Sequence, residues 1–552
     1  MLFNYKYSGN TSISNDANET AMSFAPDALR DPTFFVGKLN KKIAFREAIS
    51  ALHDVVVSDL RYKPKDRAEY KAWAEEQEKL WLGEYMAGFQ IEQVKNRIEE
   101  IRNDLKEIYR EKDRVLGPFN KAKLRYFDYL YKNDRDAWMV LDPVITVHPD
   151  ELFFECFSQD ESSYGKLSCN YNVFTEINEF KCGTTNIDYS AELYGEFQKI
   201  RGYKDTSFKI DPSGFEATTT NEEVYKEVKI DLPDSWVRGF LQVSAAMTLP
   251  ATTFELHPMD IFSLCQYLRR FKETTGPRAL RFILAPGQPV RLVIEPWYET
   301  LTFHRSIYTG AEEKTIRIWG RRRLMILERL IPIAKSFKVV LLGSGLPSFF
   351  MADLGDMTFT LGLSGWTTND WSKAGNFDLM APRGNVDILT KQKVFSSLKE
   401  TWFASAADIA KKSGLSSAVV SSALTAYTQA GRVIYDLKQG VYRVRELSQA
   451  PLDFSALRFG SEQEKIANEF IMQHLVKIAT KIENDVLEIK GKVRTKNETF
   501  STLALIDKDQ RLIDGSCECT FYQSNKLKIG PCEHILATRM MLQNNTVKVA
   551  AN

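Results

Sequence analysis

Cys517-Glu518-Cys519-Thr520-Phe521-Tyr522 opens a stretch that closes, after twelve residues beyond Cys519, on Cys532-Glu533-His534. Three of the seven cysteines and one of the six histidines fall within it. Three thiolates and one imidazole make the closed tetrahedral shell that structural zinc prefers. The C-x-C spacing lets two sulfurs converge from one strand end or turn. The C-x-H pair follows Pro531 and precedes Ile535-Leu536-Ala537, where a helix is expected to start. A helix N-terminus stabilises thiolate charge, and zinc needs cysteine ionised and histidine neutral. The candidate ligands Cys517, Cys519, Cys532 and His534 leave no position open for substrate, so the expected zinc is structural and no catalytic residue is assigned.

The strands expected just upstream run around Val486 to Val493, Thr499 to Ile506 and Arg511 to Asp514, so a β-hairpin leads into the first pair and a helix carries His534. This arrangement resembles the SWIM zinc finger, whose pattern is C-x-C-x(n)-C-x-H, over roughly residues 484–540. The resemblance implies the same four ligands. More loosely, the layout is similar to large bacterial SWIM-domain proteins, through Pro26-Asp27-Ala28-Leu29-Arg30-Asp31-Pro32 and Ala51-Leu52-His53-Asp54-Val55-Val56-Val57-Ser58-Asp59-Leu60. Such proteins are often encoded beside MoxR-type AAA+ ATPases and von Willebrand A proteins, which the resemblance implies as partners. SWIM modules serve DNA or protein contacts, so the resemblance names the metal more firmly than the partner.

Further upstream, Ser461 and Glu464 form a capping box for a helix ending near His474. Residues 391–447 read as a winged helix. One helix runs through Val394, Phe395 and Leu398. A second starts at Ser405 with Asp408 three residues on and stops at Gly414. A third opens at Ser416 or Ser417 and stops at Gly431. Val433-Ile434-Tyr435 and Val441-Tyr442-Arg443-Val444 then make a two-stranded wing. A recognition helix usually offers Arg, Lys, Asn or Gln to bases and phosphates. Ser416 to Ala430 offers Ser, Thr, Tyr and one Gln, with Lys411 and Lys412 before it and Lys438, Arg443 and Arg445 in the wing. A protein-contacting winged helix is therefore favoured. A single surface of Lys411, Lys412, Lys438, Lys490, Lys492 and Arg494 would favour nucleic acid instead.

The centre, residues 140–390, reads as mixed α+β: β-like and polar to about Asp234, with strands at Thr185 to Tyr189 and Val224 to Ile230 around the loop Ala217-Thr218-Thr219-Thr220-Asn221. A helix is expected from Asp234 to about Phe271. Strands follow at Leu280 to Leu284, Val290 to Glu295 and Leu301 to Arg305, then an amphipathic helix from Arg321 to Lys335 with its arginines on a solvated face. Val340-Leu341-Leu342-Gly343-Ser344-Gly345-Leu346 lacks the third glycine of a dinucleotide fingerprint and the Lys-Ser/Thr of a P-loop, so a structural turn is expected. Cys156, Cys169, Cys182 and Cys265 contain no C-x-x-C, and His148, His257 and His304 stand alone, so packing roles are expected for all seven.

Residues 1–139 form a helical N-terminal region behind a polar start, a tail or short cover strand, at residues 1–22. Phe45, Ile49, Leu52, Val56 and Leu60 make a helical stripe. Ile91, Val94, Ile98, Ile101, Leu105 and Ile108 alternate spacings of three and four, a short heptad seam. It suits either an antiparallel hairpin closed at Gly117-Pro118 or a coiled coil with another chain.

The 552 residues suit three or four domains, with 44% hydrophobic and 26% charged residues, the balance of a globular chain. Lys plus Arg is 73 against 72 acids, which argues against a whole-chain electrostatic nucleic-acid binder. The start lacks a signal-peptide pattern and no apolar run approaches a membrane span, so a cytoplasmic chain with reduced cysteines is expected. The expected fold class is α+β multidomain: the N-terminal region, the central region, the winged helix and a SWIM zinc domain over 460–545. The expected function is a non-enzymatic zinc-binding adaptor or substrate-recognition protein. A nucleic-acid-binding factor is the alternative, and an enzyme with an unrecognised central site the third choice.

Overall fold

The computed structural model describes residues 12–15, 19–24, 33–58, 102–104, 107, 143–210, 234–447 and 462–550, with short breaks inside the longer stretches. Residues 1–59 and 141–552 make one compact unit, and Leu60–Val140 a second. The heptad seam from Ile91 to Ile108 lies outside the described residues, as do the strand expected at Val224 to Ile230 and its preceding loop. Among the described residues, no helix is long and apolar enough to cross a membrane.

The fold is α+β, built mainly on antiparallel sheets. The polar start carries β1 (Ser12–Asn15) and β2 (Glu19–Phe24), followed by β3 (Phe35–Leu39) and helix α1 (Lys42–Val56). Next come β4 (Val144–Val147), β5 (Glu151–Phe157), β6 (Ser163–Asn170), β7 (Phe174–Thr175), β8 (Gly183–Asn186) and β9 (Asp205–Ile210). The single helix expected from Asp234 to Phe271 is two: α2 (Asp234–Met247) and α3 (Pro258–Arg270), with strand β10 (Thr252–Leu256) between them. Helix α3 starts where His257 Nδ1 accepts the Met259 N–H at 3.1 Å and Pro258 takes the first turn.

A four-stranded antiparallel sheet follows, from β11 (Leu280–Leu284), β12 (Pro289–Ile294), β13 (Glu299–Ile307) and β14 (Lys314–Ile318). The segment expected as an amphipathic α-helix is a 3₁₀ helix, Arg321–Leu330. Its arginines do not form a solvated face. Arg321 and Arg323 are buried, and donate to the carbonyls of Glu295 and Ser162. A guanidinium carries five donors, enough to serve several carbonyls inside the fold. Three more strands, β15 (Ser336–Leu341), β16 (Ser348–Asp353) and β17 (Met357–Leu363), form a meander. Gly343 and Gly345 take positive φ in the turn after β15, as a structural turn requires.

The central sheet has eight antiparallel strands in the order β10-β15-β16-β17-β6-β5-β4-β8. Two meanders, β4-β5-β6 and β15-β16-β17, meet where β6 pairs with β17. Alternation along β5 assigns its two faces. Phe154 and Cys156 face α1: Phe154 meets Phe45 edge-on, and the Cys156 thiol donates to the Leu52 carbonyl. Phe153, Glu155 and Phe157 face the other way; Phe157 packs on Trp236 and Phe240 of α2. Helix α1 comes down onto the sheet because Gly165 has no side chain: a Cβ there would meet Leu52, Val55 and Cys156 at 3.0–3.2 Å.

Residues 388–444 make a smaller cluster: α4 (Ile388–Thr401), β18 (Phe403–Ala404), α5 (Ala406–Ser413), α6 (Ser417–Gln429), β19 (Val433–Asp436) and β20 (Val441–Val444). The strands pair in the order β18-β20-β19. Each helix starts on a side-chain cap. Asp387 accepts the Thr390 N–H, Ser405 that of Asp408 and Ser416 that of Val419. Gly414 closes α5 at φ 70°.

This cluster is fastened to the central sheet. The Arg443 guanidinium, 0% exposed, donates to both Asp150 oxygens at 2.9 and 3.0 Å and to Asp436 Oδ2 at 2.8 Å. Arg445, also buried, donates to Ser244 Oγ at 3.2 Å and stands 3.5 Å from Glu155 Oε2. His148 Nε2 donates to the Val444 carbonyl at 2.6 Å, and burial holds this imidazole down at about 3. The Lys438 ammonium donates to Thr358 Oγ1. Along α6, Val420 to Thr425, Tyr427 and Thr428 are buried, and Gln429 donates to Asp378. Lys438, Arg443 and Arg445, and most of α6, are thus engaged inside the chain.

Candidate metal centre

The last segment runs α7 (Glu462–Met472), β21 (Val476–Glu483), β22 (Val486–Arg494), β23 (Thr499–Ile506), β24 (Leu512–Cys517), α8 (Thr520–Asn525) and α9 (Glu533–Ala550). The four strands pair antiparallel in sequence order. Cys517 ends β24, Cys519 caps α8, Cys532 precedes α9, and His534 lies in the first turn of α9.

The ligand atoms of these four residues lie within 4.8 Å of one another, and all four residues are buried. A zinc–sulfur bond of about 2.3 Å puts tetrahedral ligands about 3.7 Å apart, so the cluster needs only a small contraction. Backbone amides point at the sulfurs: the Cys519 N–H donates to Cys517 Sγ and the Tyr522 N–H to Cys519 Sγ, each at 3.4 Å. The His534 ring stacks on Phe470 and packs on Phe500, with ring centres 5.5 and 4.5 Å away. Its Nδ1 makes no hydrogen bond and has Glu533 Oε1 at 3.6 Å. Glu518 lies between two ligands in sequence, yet its carboxylate accepts the Ser501 N–H at 2.9 Å.

The electrostatics fit a cation. The Cys532 hydrogen bond, helped by His534, holds the Cys517 thiol down at about 4 against the cost of its burial. That same hydrogen bond, with burial, pushes Cys532 up, and burial raises Cys519. One thiolate is stabilised, and its neighbours then resist a second negative charge. A divalent cation removes the conflict and deprotonates coordinating thiols outright. All four donors come from protein, so the donor set fits a closed site.

The cage is tied to the rest of the chain. Arg539 on α9, 2% exposed, donates to the carbonyls of Leu379, Ala381 and Gln510 at 2.7, 2.9 and 2.6 Å. Gly530, at φ 102°, passes so close to Asn376 that a Cβ would meet its carbonyl oxygen at 2.8 Å.

Of the histidines and cysteines expected to serve packing, His148 is buried, whereas His257 is an exposed cap of α3 and His304 is exposed on β13. Cys156, Cys169 and Cys265 are buried free thiols, and Cys182 is half-buried. Of the six cations named above, Lys412 pairs with Glu400 and Lys438 is engaged with Thr358. Lys490, Lys492 and Arg494 alternate along the exposed face of β22. The structure adds Lys477, whose Cα is the cross-strand partner of Lys492. Lys477 lies on β21, a strand not among those expected from sequence.

No family model matches the chain, and no curated protein matches it. Among solved structures it is similar to Proliferating Cellular Nuclear Antigen from Entamoeba histolytica, at 11% identity and a TM-score of 0.27, over 41% of this chain and 89% of that one. It is also similar to the PCNA2–PCNA3 complex from Sulfolobus tokodaii, at 9% identity and a TM-score of 0.29, over 44% of this chain and 94% of that one. TM-scores this low carry no inference about activity.

Proposed function

We propose that this chain is a non-enzymatic, zinc-stabilised adaptor or substrate-recognition protein working in a multiprotein assembly. In this proposal residues 460–545 are a SWIM-type zinc domain, with Zn²⁺ held by Cys517, Cys519, Cys532 and His534, and residues 391–447 are a winged helix. The observation that carries it is a closed, all-protein donor set under a sheet whose opposite face is open. Metal affinity there supplies folding free energy rather than a reactive position. The buried α6 and the ion-paired Arg443 and Arg445 support a packing role for the winged helix. A MoxR-type AAA+ ATPase with a von Willebrand A protein is the partner set that the SWIM resemblance favours.

The alternative, a nucleic-acid-binding factor, is favoured by one feature: Lys477, Lys490 and Lys492 share an exposed face. Affinity capture at native expression, with and without nuclease, separates the two. Nuclease-resistant recovery of protein partners supports the adaptor. Recovery that disappears with nuclease overturns it.

A further inference from the structure

The sheet of β21 to β24 has one face against α9 and the other over a cleft of about 790 Å³. Its floor is aliphatic at Ala479 and Leu503, and its rim carries Lys477, Lys490, Lys492 and Lys526. Glu518 is the one acid among the lining residues, and it is already engaged by the Ser501 N–H. Lys477 and Lys492 stand directly opposite each other across β21 and β22. Like charges so placed destabilise a sheet. Lys490 is paired with Glu488 at 2.9 Å, but neither Lys477 nor Lys492 has an acidic partner among the described residues. The cleft holds an unbalanced positive rim over an apolar floor.

We propose that this cleft binds an extended peptide segment of a partner protein in which acidic and aliphatic side chains alternate. The proposal rests on the adaptor function above and names the chemistry of its partner. Alternation would place aliphatic side chains on Ala479 and Leu503 and carboxylates at the lysine rim. Four strands about 4.8 Å apart span about five extended residues. The lining suits a single-stranded nucleic acid less well. Such binders stack bases on exposed aromatic rings. The one aromatic residue here, Tyr522, is 8% exposed, its hydroxyl is bound to the Gly515 carbonyl, and the Lys526 ammonium sits over its ring. The lining also contains no arginine to grip phosphates with a planar fork.

The test is fluorescence anisotropy on the purified, zinc-loaded full chain with a labelled ten-residue peptide of alternating glutamate and leucine. Saturable binding is expected, weakened about tenfold or more by the double substitution Lys477→Glu with Lys492→Glu. The milder pair Lys477→Gln with Lys492→Gln should weaken it less, and replacing the leucines by serine should also weaken it. Unchanged zinc content and circular dichroism establish that the variants fold. Absence of saturable binding at about 100 µM, or equal affinity for the folded variants, overturns the proposal. So does tighter binding of a labelled ten-nucleotide thymidine strand, lost on the same substitutions. If charge-reversed protein still captures the same nuclease-resistant partners, the cleft is not the docking site and the adaptor function stands.

Discussion

Replacing Asp436 by Asn tests the electrostatic fastening between residues 388–444 and the central sheet. Burial opposes ionisation of this carboxyl, but Lys166 and Arg443, with hydrogen bonds from Arg443 and the Lys438 amide, hold it down at about 2. Its ordinary value is 3.8. A group depressed by that much contributes about 2 kcal/mol of stability at neutral pH. The contribution is full above pH about 4 and is lost as pH falls toward about 2. Asp436→Asn should therefore lower the unfolding free energy by about 2 kcal/mol at pH 7, and the gap should close by pH about 2. Glu151, pushed up by its burial, acts in the opposite direction, and because the Asp436 charge helps to raise it, the substitution eases Glu151 and trims the difference. Urea unfolding of both proteins at a series of pH values, followed by tryptophan fluorescence and far-ultraviolet circular dichroism together, measures that difference. A gap of the same size at pH 7 and pH 2.5 would refute the charge argument and leave shape or hydrogen bonding as the cause.

Elemental analysis of purified protein should find about one Zn²⁺ per chain, and Cys532→Ser should lose it while residues 462–550 become open to proteolysis. Folded, protease-resistant protein without zinc would refute the metal assignment. Gly165→Val should cost about 1–3 kcal/mol, read in thermal unfolding, because Leu52, Val55 and Cys156 leave no room for the new side chain. Binding to duplex DNA should stay in the non-specific range, about 10⁻⁴ to 10⁻⁶ M at physiological salt, with little sequence preference. Lys411→Glu with Lys412→Glu should leave cellular partner recovery intact; a tight, sequence-selective complex abolished by that pair would promote the nucleic-acid alternative.

The metal cluster was legible because its chemistry sits in four residues of fixed spacing. Helix starts at Ser405 and Ser416 were legible for a similar reason, since a cap is local. What escaped was decided over longer distances. β10 alternates buried and exposed over five residues, a signal too short to stand out between two helices. β21 alternates Val476, Ile478, Thr480 and Ile482 on one face, but everything from Ala479 to Glu483 is exposed, so the sequence pattern has only a short buried counterpart. In β5 and β6 both faces are covered, so alternation disappears, and Glu155 and Lys166 inside them made the region look polar. Arg321, Arg323, Arg443 and Arg445 read as surface charge from sequence. Only the fold shows the carbonyls and carboxylates waiting for them.

The joint between the two meanders has a consequence for synthesis. β6 ends at Asn170, while its partner β17 begins only at Met357. At about 5–20 residues per second, a ribosome takes roughly 10–40 s to make the intervening chain. Through that interval β6 presents an open edge whose partner has not yet been made, the kind of edge that recruits other chains. Nascent molecules are thus most exposed to misassembly between these two points of translation, and a chaperone that holds that edge would raise the yield of folded protein more than one acting on the finished chain.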